Sequence, residues 1–224
     1  MIFDTENKLK MRVYGTRDKI DLFSEAQSIY FRMEYPVNSC IPDILYVGFR
    51  STTSNENWPT KWSYLHSSIL SLLRHKDKLT VNELSNSIFE DPKRIQPIIQ
   101  NLETSELIIE DEYGYLSLSN ELMHLSGEII AIELKLFRWE EALNQAINYL
   151  SFSNKAIVAM DIESLPDDIT PFQENGIGLF GVSEDDIVWK IKPKYHEVSN
   201  FNWEYIINSV FIPTRQKGWE SIKY

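Results

Sequence analysis

Apolar positions along the chain follow two different periods, which predicts a mixture of strands and helices. Residues 129–136 form a nearly continuous apolar run, as in a strand that is buried in a sheet. The next segment changes to helical spacing and predicts one apolar helix face, made of Trp139, Leu143, Ala146, Ile147 and Leu150. A further apolar run at residues 155–160 predicts the following strand. This strand–helix–strand order is typical of an α/β fold.

Strands and a helix are also predicted on either side of this segment. Residues 28–35 alternate between apolar and polar positions, residues 36–40 supply a turn, and residues 42–49 supply a second strand. Residues 187–191 alternate as a late strand. Residues 201–211 predict a closing helix that docks through its apolar face, which contains Trp203, Ile206, Ile207 and Val210.

The middle of the chain predicts three helices. Residues 62–75 have apolar side chains at helical spacing. Thr80 is followed three residues later by Glu83, which is the spacing of a capping box and predicts the start of a second helix. Asp91 followed by Pro92 is a typical start for the third helix.

A hairpin is predicted directly after these helices. Residues 107–119 contain two short apolar runs around a turn at residues 112–114. Three helices followed by a hairpin resemble a winged helix-turn-helix, so we expect an inserted domain of this kind at residues 60–120. The polar stretch at residues 51–59 is typical of the linker that would lead into it.

Two charged residues interrupt the apolar run of the central strand. Glu133 and Lys135 are two positions apart, so their side chains leave the same face of the strand. Burying these charges is costly unless they are paired or hold a metal ion. One interpretation is a structural ion pair, and the other is a metal ligand with a lysine working beside it. On the next helix, Gln145 and Tyr149 are four apart and share one stripe.

A strand with Glu-Leu-Lys followed by a helix with Gln-xxx-Tyr resembles the core of the PD-(D/E)XK nuclease superfamily, in its RecB-like branch. This resemblance implies a restriction-endonuclease-like core of mixed sheet and flanking helices. It also implies an earlier aspartate, and the Pro-Asp sequence that ends at Asp43 is the candidate. About ninety residues separate Asp43 from Glu133. The nuclease-like domain is therefore expected to be discontinuous, with residues 1–50 and 121–224 on either side of the insert.

The resemblance also implies the chemistry of the site. Asp43 and Glu133 would hold Mg²⁺ or Mn²⁺, with the backbone carbonyl of Leu134 as a further oxygen ligand. Lys135 would stabilise developing charge or orient water during hydrolysis of DNA phosphodiester bonds. Gln145 and Tyr149 would position the reacting groups. Glu34 or Glu25 could add an auxiliary acid, although each is more simply a structural residue.

The same resemblance leaves room for a chain without enzymatic activity. The alternative function is a catalytically inactive nuclease-fold and winged-helix protein, which would act as a binding or regulatory subunit of a bacterial defence or mobile-element complex. Nuclease-like folds also serve as binding modules, so the fold by itself does not decide between the two functions.

The net charge of −11 gives little support to simple DNA binding. Residues 61–120 contain six basic and nine acidic residues, whereas a typical reader of duplex DNA is basic. On the third helix, Lys93, Arg94 and Gln96 are the candidates for contact with DNA. A second basic group is scattered near the C-terminus and contains Lys190, Lys192, Lys194, Arg215 and Lys217. A protein partner or a homo-oligomer therefore remains an open alternative to DNA.

The acidic segments, the longest apolar runs and the cysteine content indicate the environment in which the chain works. The acidic segments at residues 161–168 and 184–186 predict solvated loops. No apolar run has the length that a membrane-spanning helix needs, and the first residues lack a signal-peptide pattern. The single cysteine, Cys40, cannot form an internal disulfide, which fits a reducing cytoplasm. The four histidines show no metal-ligand spacing.

Overall fold

The computed structural model of the chain describes residues 2–16, 20, 22–23, 26, 28–37, 39–49, 62–123, 127–198, 201–211 and 219–222. The described part has an α/β fold. Its helices are α1 (Glu6–Gly15), α2 (Tyr64–Lys76), α3 (Val81–Ile88), α4 (Pro92–Thr104), α5 (Asn120–Met123), α6 (Trp139–Tyr149), α7 (Thr170–Asn175) and α8 (Phe201–Phe211). Its strands are β1 (Ser28–Met33), β2 (Ile44–Phe49), β3 (Ile108–Glu110), β4 (Leu116–Leu118), β5 (Gly127–Lys135), β6 (Lys155–Asp161), β7 (Gly178–Val182), β8 (Ile187–Ile191) and β9 (Glu220–Ile222).

Seven strands form one mixed sheet in the order β8-β7-β6-β5-β2-β1-β9. Strands β5, β6 and β7 run parallel, with Lys135 of β5 beside Met160 of β6. Strand β8 is antiparallel to β7, and β9 is antiparallel to β1. The strand–helix–strand unit predicted from residues 129–160 is confirmed as β5, α6 and β6. Strand β5 has β6 on one side and β2 on the other, so the two predicted halves of the site meet on neighbouring strands.

The two faces of β5 have different roles. Ile130, Ile132 and Leu134 belong to the hydrophobic core that also contains Leu9 and Val13 of α1. Side chains alternate along a strand, so Glu133 and Lys135 leave the sheet on the opposite face. The core face therefore fixes the register of β5, and the register in turn determines which face carries the charged pair.

The N-terminal segment is anchored by Asp161, which lies at the end of β6. One oxygen of its carboxylate accepts hydrogen bonds from the backbone amides of Ile2 and Phe3, and the other accepts one from the amide of Glu163. Asp161 is completely buried, so the prediction of a solvated loop is wrong at this position. The sequence pattern could not show this, because two of the three backbone amides that bond Asp161, those of Ile2 and Phe3, are about 160 residues away in the chain.

The chain divides into two compact units. The first contains Met1–Gly48, Glu128–Val198 and Glu220–Tyr224, and the second contains Phe49–Gly127 and Ser199–Trp219. The second unit therefore includes α8, whereas the sequence prediction assigned all of residues 121–224 to one domain with residues 1–50. The reason is packing, since α8 contacts α2 and buries Ile206, Ile207 and Val210.

Within the second unit, the predicted helix starts are confirmed. The Thr80 hydroxyl accepts a hydrogen bond from the backbone amide of Glu83, whose carboxylate reaches back to the Thr80 amide. Asp91 caps α4 through the backbone amide of Lys93. Helix α2 contacts α3, α4 and β4, and the β3-β4 hairpin follows the three helices in chain order. This unit thus contains three helices and a two-stranded hairpin, with the short helix α5 and helix α8 added.

Several sequence predictions fall on positions outside the described residues. These are the possible auxiliary acid Glu25, the linker at residues 51–59, and the basic residues Arg215 and Lys217. Within the described part, no helix combines the length and apolar character needed to cross a membrane.

Candidate metal and catalytic site

Asp43 and the Glu133-Leu134-Lys135 segment are brought together at the ends of neighbouring strands. Asp43 lies directly before β2, and one oxygen of its carboxylate accepts a hydrogen bond at 2.9 Å from the backbone amide of Leu134. The two residues are 91 positions apart in the chain. Burial is the main cause that raises the pKa of Glu133, and the nearby charge of Asp43 raises it as well. The carboxylates predicted to hold a metal ion are therefore neighbours.

Glu133 is a buried carboxylate with two partners in the chain. Its side chain is 4% exposed, one oxygen lies 3.3 Å from the Lys135 ammonium, and the other accepts a hydrogen bond at 2.5 Å from the Tyr149 hydroxyl. Burial raises the pKa of Glu133, and the charge of Asp43 adds to this effect. The hydrogen bond from Tyr149 and the charge of Lys135 act in the opposite direction without cancelling it. The site thus holds a carboxyl group that resists ionisation.

Lys135 is placed between two carboxylates. Its ammonium lies 3.3 Å from Glu133 and 3.6 Å from Glu141 of α6. Burial alone would lower the pKa of Lys135, but the charges of Glu133, Glu6 and Glu141 outweigh burial and raise it. Lys135 is therefore a stable cation at neutral pH. It can stabilise negative charge, but it is poorly suited to act as a proton acceptor.

Helix α6 supplies the two residues of the Gln-xxx-Tyr pair. Tyr149 is buried, and its pKa is raised by burial and by the neighbouring Glu133 carboxylate, so its hydroxyl stays protonated and donates. The side-chain oxygen of Gln145 is buried, and no hydrogen-bond partner for it lies among the described residues. An unsatisfied buried oxygen of this kind has capacity for one more donor. Tyr149 contacts the charged cluster directly through its hydrogen bond to Glu133. Gln145 lies on the same helix.

Helix α1 adds two residues that sequence analysis did not find. The Lys10 ammonium lies 2.8 Å from the second oxygen of Asp43 and 2.8 Å from Glu34. Glu6 is four positions before Lys10, on the same helix face, and its charge acts on Lys135. A Glu–Lys pair at this spacing is common on exposed helices, so the sequence contains no signal that separates these residues from ordinary surface charges.

The oxygen atoms of the site are of the chemical type that binds a hard divalent cation such as Mg²⁺. Asp43 and Glu133 supply carboxylate oxygens, which are the ligands that Mg²⁺ prefers. All four of these oxygens have a partner in the chain, namely Leu134, Lys10, Lys135 and Tyr149. An ionised carboxylate has about four lone-pair sites, so each oxygen can still accept a second partner. Among the residues that the structure describes, no three His, Cys, Asp or Glu side chains are grouped so as to hold a metal ion.

The predicted DNA-contacting residues lie in the second compact unit. Lys93, Arg94 and Gln96 are exposed on α4, while Ile95 and Ile99 on its other side are buried. Arg94 lies 2.6 Å from Glu90, so part of its charge is already balanced. Lys190, Lys192 and Lys194 are exposed on and after β8 in the first unit. The three lysines on and after β8 therefore belong to a different unit from Lys93 and Arg94.

Comparisons with known proteins add no family to this description. No protein-family model matches the chain, and no curated protein matches it. Among solved structures, the chain is similar to a protein of unknown function from Silicibacter pomeroyi, with 18% sequence identity and a TM-score of 0.30. That match covers 46% of this chain and 67% of the other. At this TM-score the likeness establishes neither the fold nor the function.

Proposed function

We propose that this chain is a metal-dependent nuclease of the PD-(D/E)XK type, which hydrolyses phosphodiester bonds of DNA with Mg²⁺ or Mn²⁺. In this proposal the mixed sheet is a restriction-endonuclease-like core, and the three helices with the β3-β4 hairpin are a winged-helix insert. Asp43 and Glu133 hold the cation, with the Leu134 carbonyl as a further ligand. Lys135, Gln145 and Tyr149 complete the catalytic group.

One observation supports this proposal above the others. The carboxylate of Asp43 accepts a hydrogen bond from the backbone of the Glu133-x-Lys135 segment, although about ninety residues separate the two in sequence. A structural ion pair between Glu133 and Lys135 alone would not require an aspartate at this position. The convergence therefore favours a shared site over a local bridge.

The reaction is hydrolysis, so its atoms balance with water as the only co-substrate. The water oxygen bonds to phosphorus while the bond from phosphorus to one sugar oxygen breaks. Water loses one proton to solvent, and the departing oxygen takes one up. A bound divalent cation would act as a Lewis acid and activate water. Lys135 supplies a fixed positive charge for the developing negative charge on the phosphoryl oxygens, and Tyr149 keeps Glu133 in place.

The test is metal-dependent cleavage of single- and double-stranded DNA by the wild type and by Asp43→Asn, Glu133→Gln and Lys135→Ala. We expect cleavage with Mg²⁺ or Mn²⁺ and none with EDTA. Each variant should lower kcat by roughly a hundredfold or more, as for removal of a group that stabilises charge in the transition state. Circular dichroism and thermal melting check that the variants fold.

The matched control is Lys8→Ala on α1, which removes an exposed lysine that pairs with Asp4. It should cleave like the wild type. If the wild type cuts neither substrate, or if the three site variants cut as well as Lys8→Ala, the nuclease proposal is wrong.

A second function is favoured by a specific observation. Each oxygen of Asp43 and Glu133 already contacts a donor within the chain, so the cluster can be stable without any cation. This arrangement fits a catalytically inactive binding or regulatory subunit, for example in a bacterial defence or mobile-element complex. Its signature would be DNA or protein binding that is unaffected by EDTA and by Glu133→Gln.

The role proposed for α4 is separable from cleavage. Lys93, Arg94 and Gln96 lie on its exposed side and would contact the DNA backbone or bases. Replacing Lys93 by alanine should weaken duplex binding and lower its salt dependence, because one phosphate contact is lost. If Lys93→Ala and the wild type bind duplex DNA equally well, α4 does not contact DNA through Lys93, and the second compact unit is better explained as a binding site for a protein partner.

A further inference from the structure

The Lys10 ammonium contacts the carboxylate oxygen of Asp43 that a bound divalent cation would also need as a ligand. Its ammonium lies 2.8 Å from one Asp43 oxygen, and the Lys10 side chain is 13% exposed. The other oxygen of Asp43 is held by the backbone amide of Leu134 at 2.9 Å. The Leu134 amide is part of strand β5, so it cannot move away from Asp43 without disrupting the strand. The Lys10 ammonium can move away from Asp43 by rotation of the lysine side chain. The oxygen facing Lys10 is therefore the more accessible one for a metal ion.

Lys10 also has a second carboxylate to hold. The same ammonium lies 2.8 Å from Glu34, which is 67% exposed. Glu34 follows β1 in a left-handed backbone conformation, with φ of 51°, and its amide donates a hydrogen bond to the backbone carbonyl of Asp43 at 3.1 Å. The backbone thus holds Glu34 beside Asp43. If the ammonium leaves Asp43, Glu34 can retain it nearby.

We infer that Lys10 is an internal counter-cation that competes with the divalent ion for Asp43, and that Glu34 retains Lys10 when the ion binds. This inference rests on the proposed metal site. Like charges repel, so an ammonium on Asp43 opposes a divalent ion on the same carboxylate. Lys10 therefore sets the cation concentration at which the site fills.

The first experiment measures Mn²⁺ binding to the full chain by electron paramagnetic resonance, without DNA. Lys10→Met should bind Mn²⁺ roughly tenfold more tightly than the wild type, because one opposing charge is removed. The matched control is Lys8→Met, which removes the same charge from the same helix at an exposed position paired with Asp4. It should bind as the wild type does. Equal or weaker binding by Lys10→Met would overturn the inference.

The second experiment tests the role of Glu34 with a double-mutant cycle. Glu34→Gln should weaken Mn²⁺ binding in the wild-type background, because Lys10 then has only Asp43 to hold. In the Lys10→Met background the same change should have less than half that effect on the logarithm of Kd. An undiminished effect would mean that Glu34 acts on the ion directly, and the retaining role would be wrong.

The outcomes separate this inference from the proposed function. Tighter Mn²⁺ binding by Lys10→Met without DNA cleavage by any form would support the role of Lys10 and contradict the nuclease. Cleavage by the wild type with equal Mn²⁺ affinity in Lys10→Met and Lys8→Met would support the nuclease and contradict the role of Lys10. Absence of Mn²⁺ binding in every variant would contradict both.

Discussion

Tyr149 donates a hydrogen bond at 2.5 Å to the buried carboxylate of Glu133, and so connects helix α6 to strand β5. The ring of Tyr149 also packs beside that of Phe152, with centroids 5.8 Å apart. The hydroxyl therefore serves two purposes, since it satisfies a buried oxygen of Glu133 and fixes the orientation of the carboxylate that faces Lys135.

Tyr149→Phe tests this connection. The substitution keeps the ring but leaves one Glu133 oxygen without its donor, so we expect a loss of about 1–3 kcal/mol in the free energy of unfolding. The pKa of Glu133 should rise further, because the Tyr149 hydrogen bond lowers it. Urea unfolding measures the loss. Tyr113→Phe, at an exposed position in the β3-β4 turn, is the control and should unfold like the wild type; equal stability of both variants would contradict the prediction.

The β5-α6-β6 segment and the helix starts in the second compact unit could be predicted from sequence because their signals are local. The apolar run of β5, the helical spacing in α6 and the caps at Thr80 and Asp91 each depend on a few neighbouring residues. The charged pair at Glu133 and Lys135 was visible for the same reason, since a strand places alternate residues on one face.

The rest of the site depends on contacts that no local pattern encodes. Lys10 and Glu6 look like ordinary charges on an exposed helix until the packing of α1 turns them towards the cluster. Asp161 looks like part of an acidic loop until the N-terminal backbone folds onto it. The apolar face of α8 was visible, but which unit it would pack against was not.

The raised pKa of Glu133 predicts a pH dependence of stability in the metal-free protein. A carboxyl group whose pKa is higher in the folded state binds its proton more tightly there than in the unfolded chain. Its favourable contribution is complete below the ordinary value of 4.5 and is lost as pH rises from 4.5 through the higher folded value. Glu133→Gln cannot ionise, so its stability relative to the wild type should increase across that range.

The measurement is urea unfolding of the wild type and Glu133→Gln in EDTA at a series of pH values from about 4 upward, where the ordinary carboxyl pKa is passed. A stability difference that stays constant with pH, or that moves in favour of the wild type as pH rises, would contradict the raised pKa.

We expect a substitution of Asp161 to loosen the N-terminal segment that leads into α1. Asp161→Asn keeps one oxygen but turns an amide group towards backbone donors, so about 1–3 kcal/mol of stability should be lost. Hydrogen exchange at residues 2–16 should speed up, because the anchor of this segment is weakened. Asp167→Asn, at an exposed position after β6, is the matched control and should change stability by less than about 0.5 kcal/mol. Unchanged exchange in Asp161→Asn would show that other contacts hold α1.

The buried ion pair in the second compact unit gives the last prediction. Arg74 of α2 lies 2.7 Å from Glu204 of α8, and Glu204 is fully buried. Burial raises the pKa of Glu204 although the Arg74 charge lowers it, so desolvation outweighs the attraction. Removing one partner leaves the other charge without its ion-pair partner in a largely buried position. We therefore expect Arg74→Met or Glu204→Leu to cost about 3–5 kcal/mol of stability each.

Removing both partners should have a much smaller effect. In the double variant Arg74→Met/Glu204→Leu, apolar side chains replace the pair, and the desolvation cost of both charges disappears. Its free energy of unfolding should lie within about 1 kcal/mol of the wild type or above it. Urea unfolding of the four proteins forms a complete double-mutant cycle. If the losses of the two single variants simply add in the double variant, Arg74 and Glu204 stabilise the docking of α8 independently, and the ion pair itself contributes nothing to it.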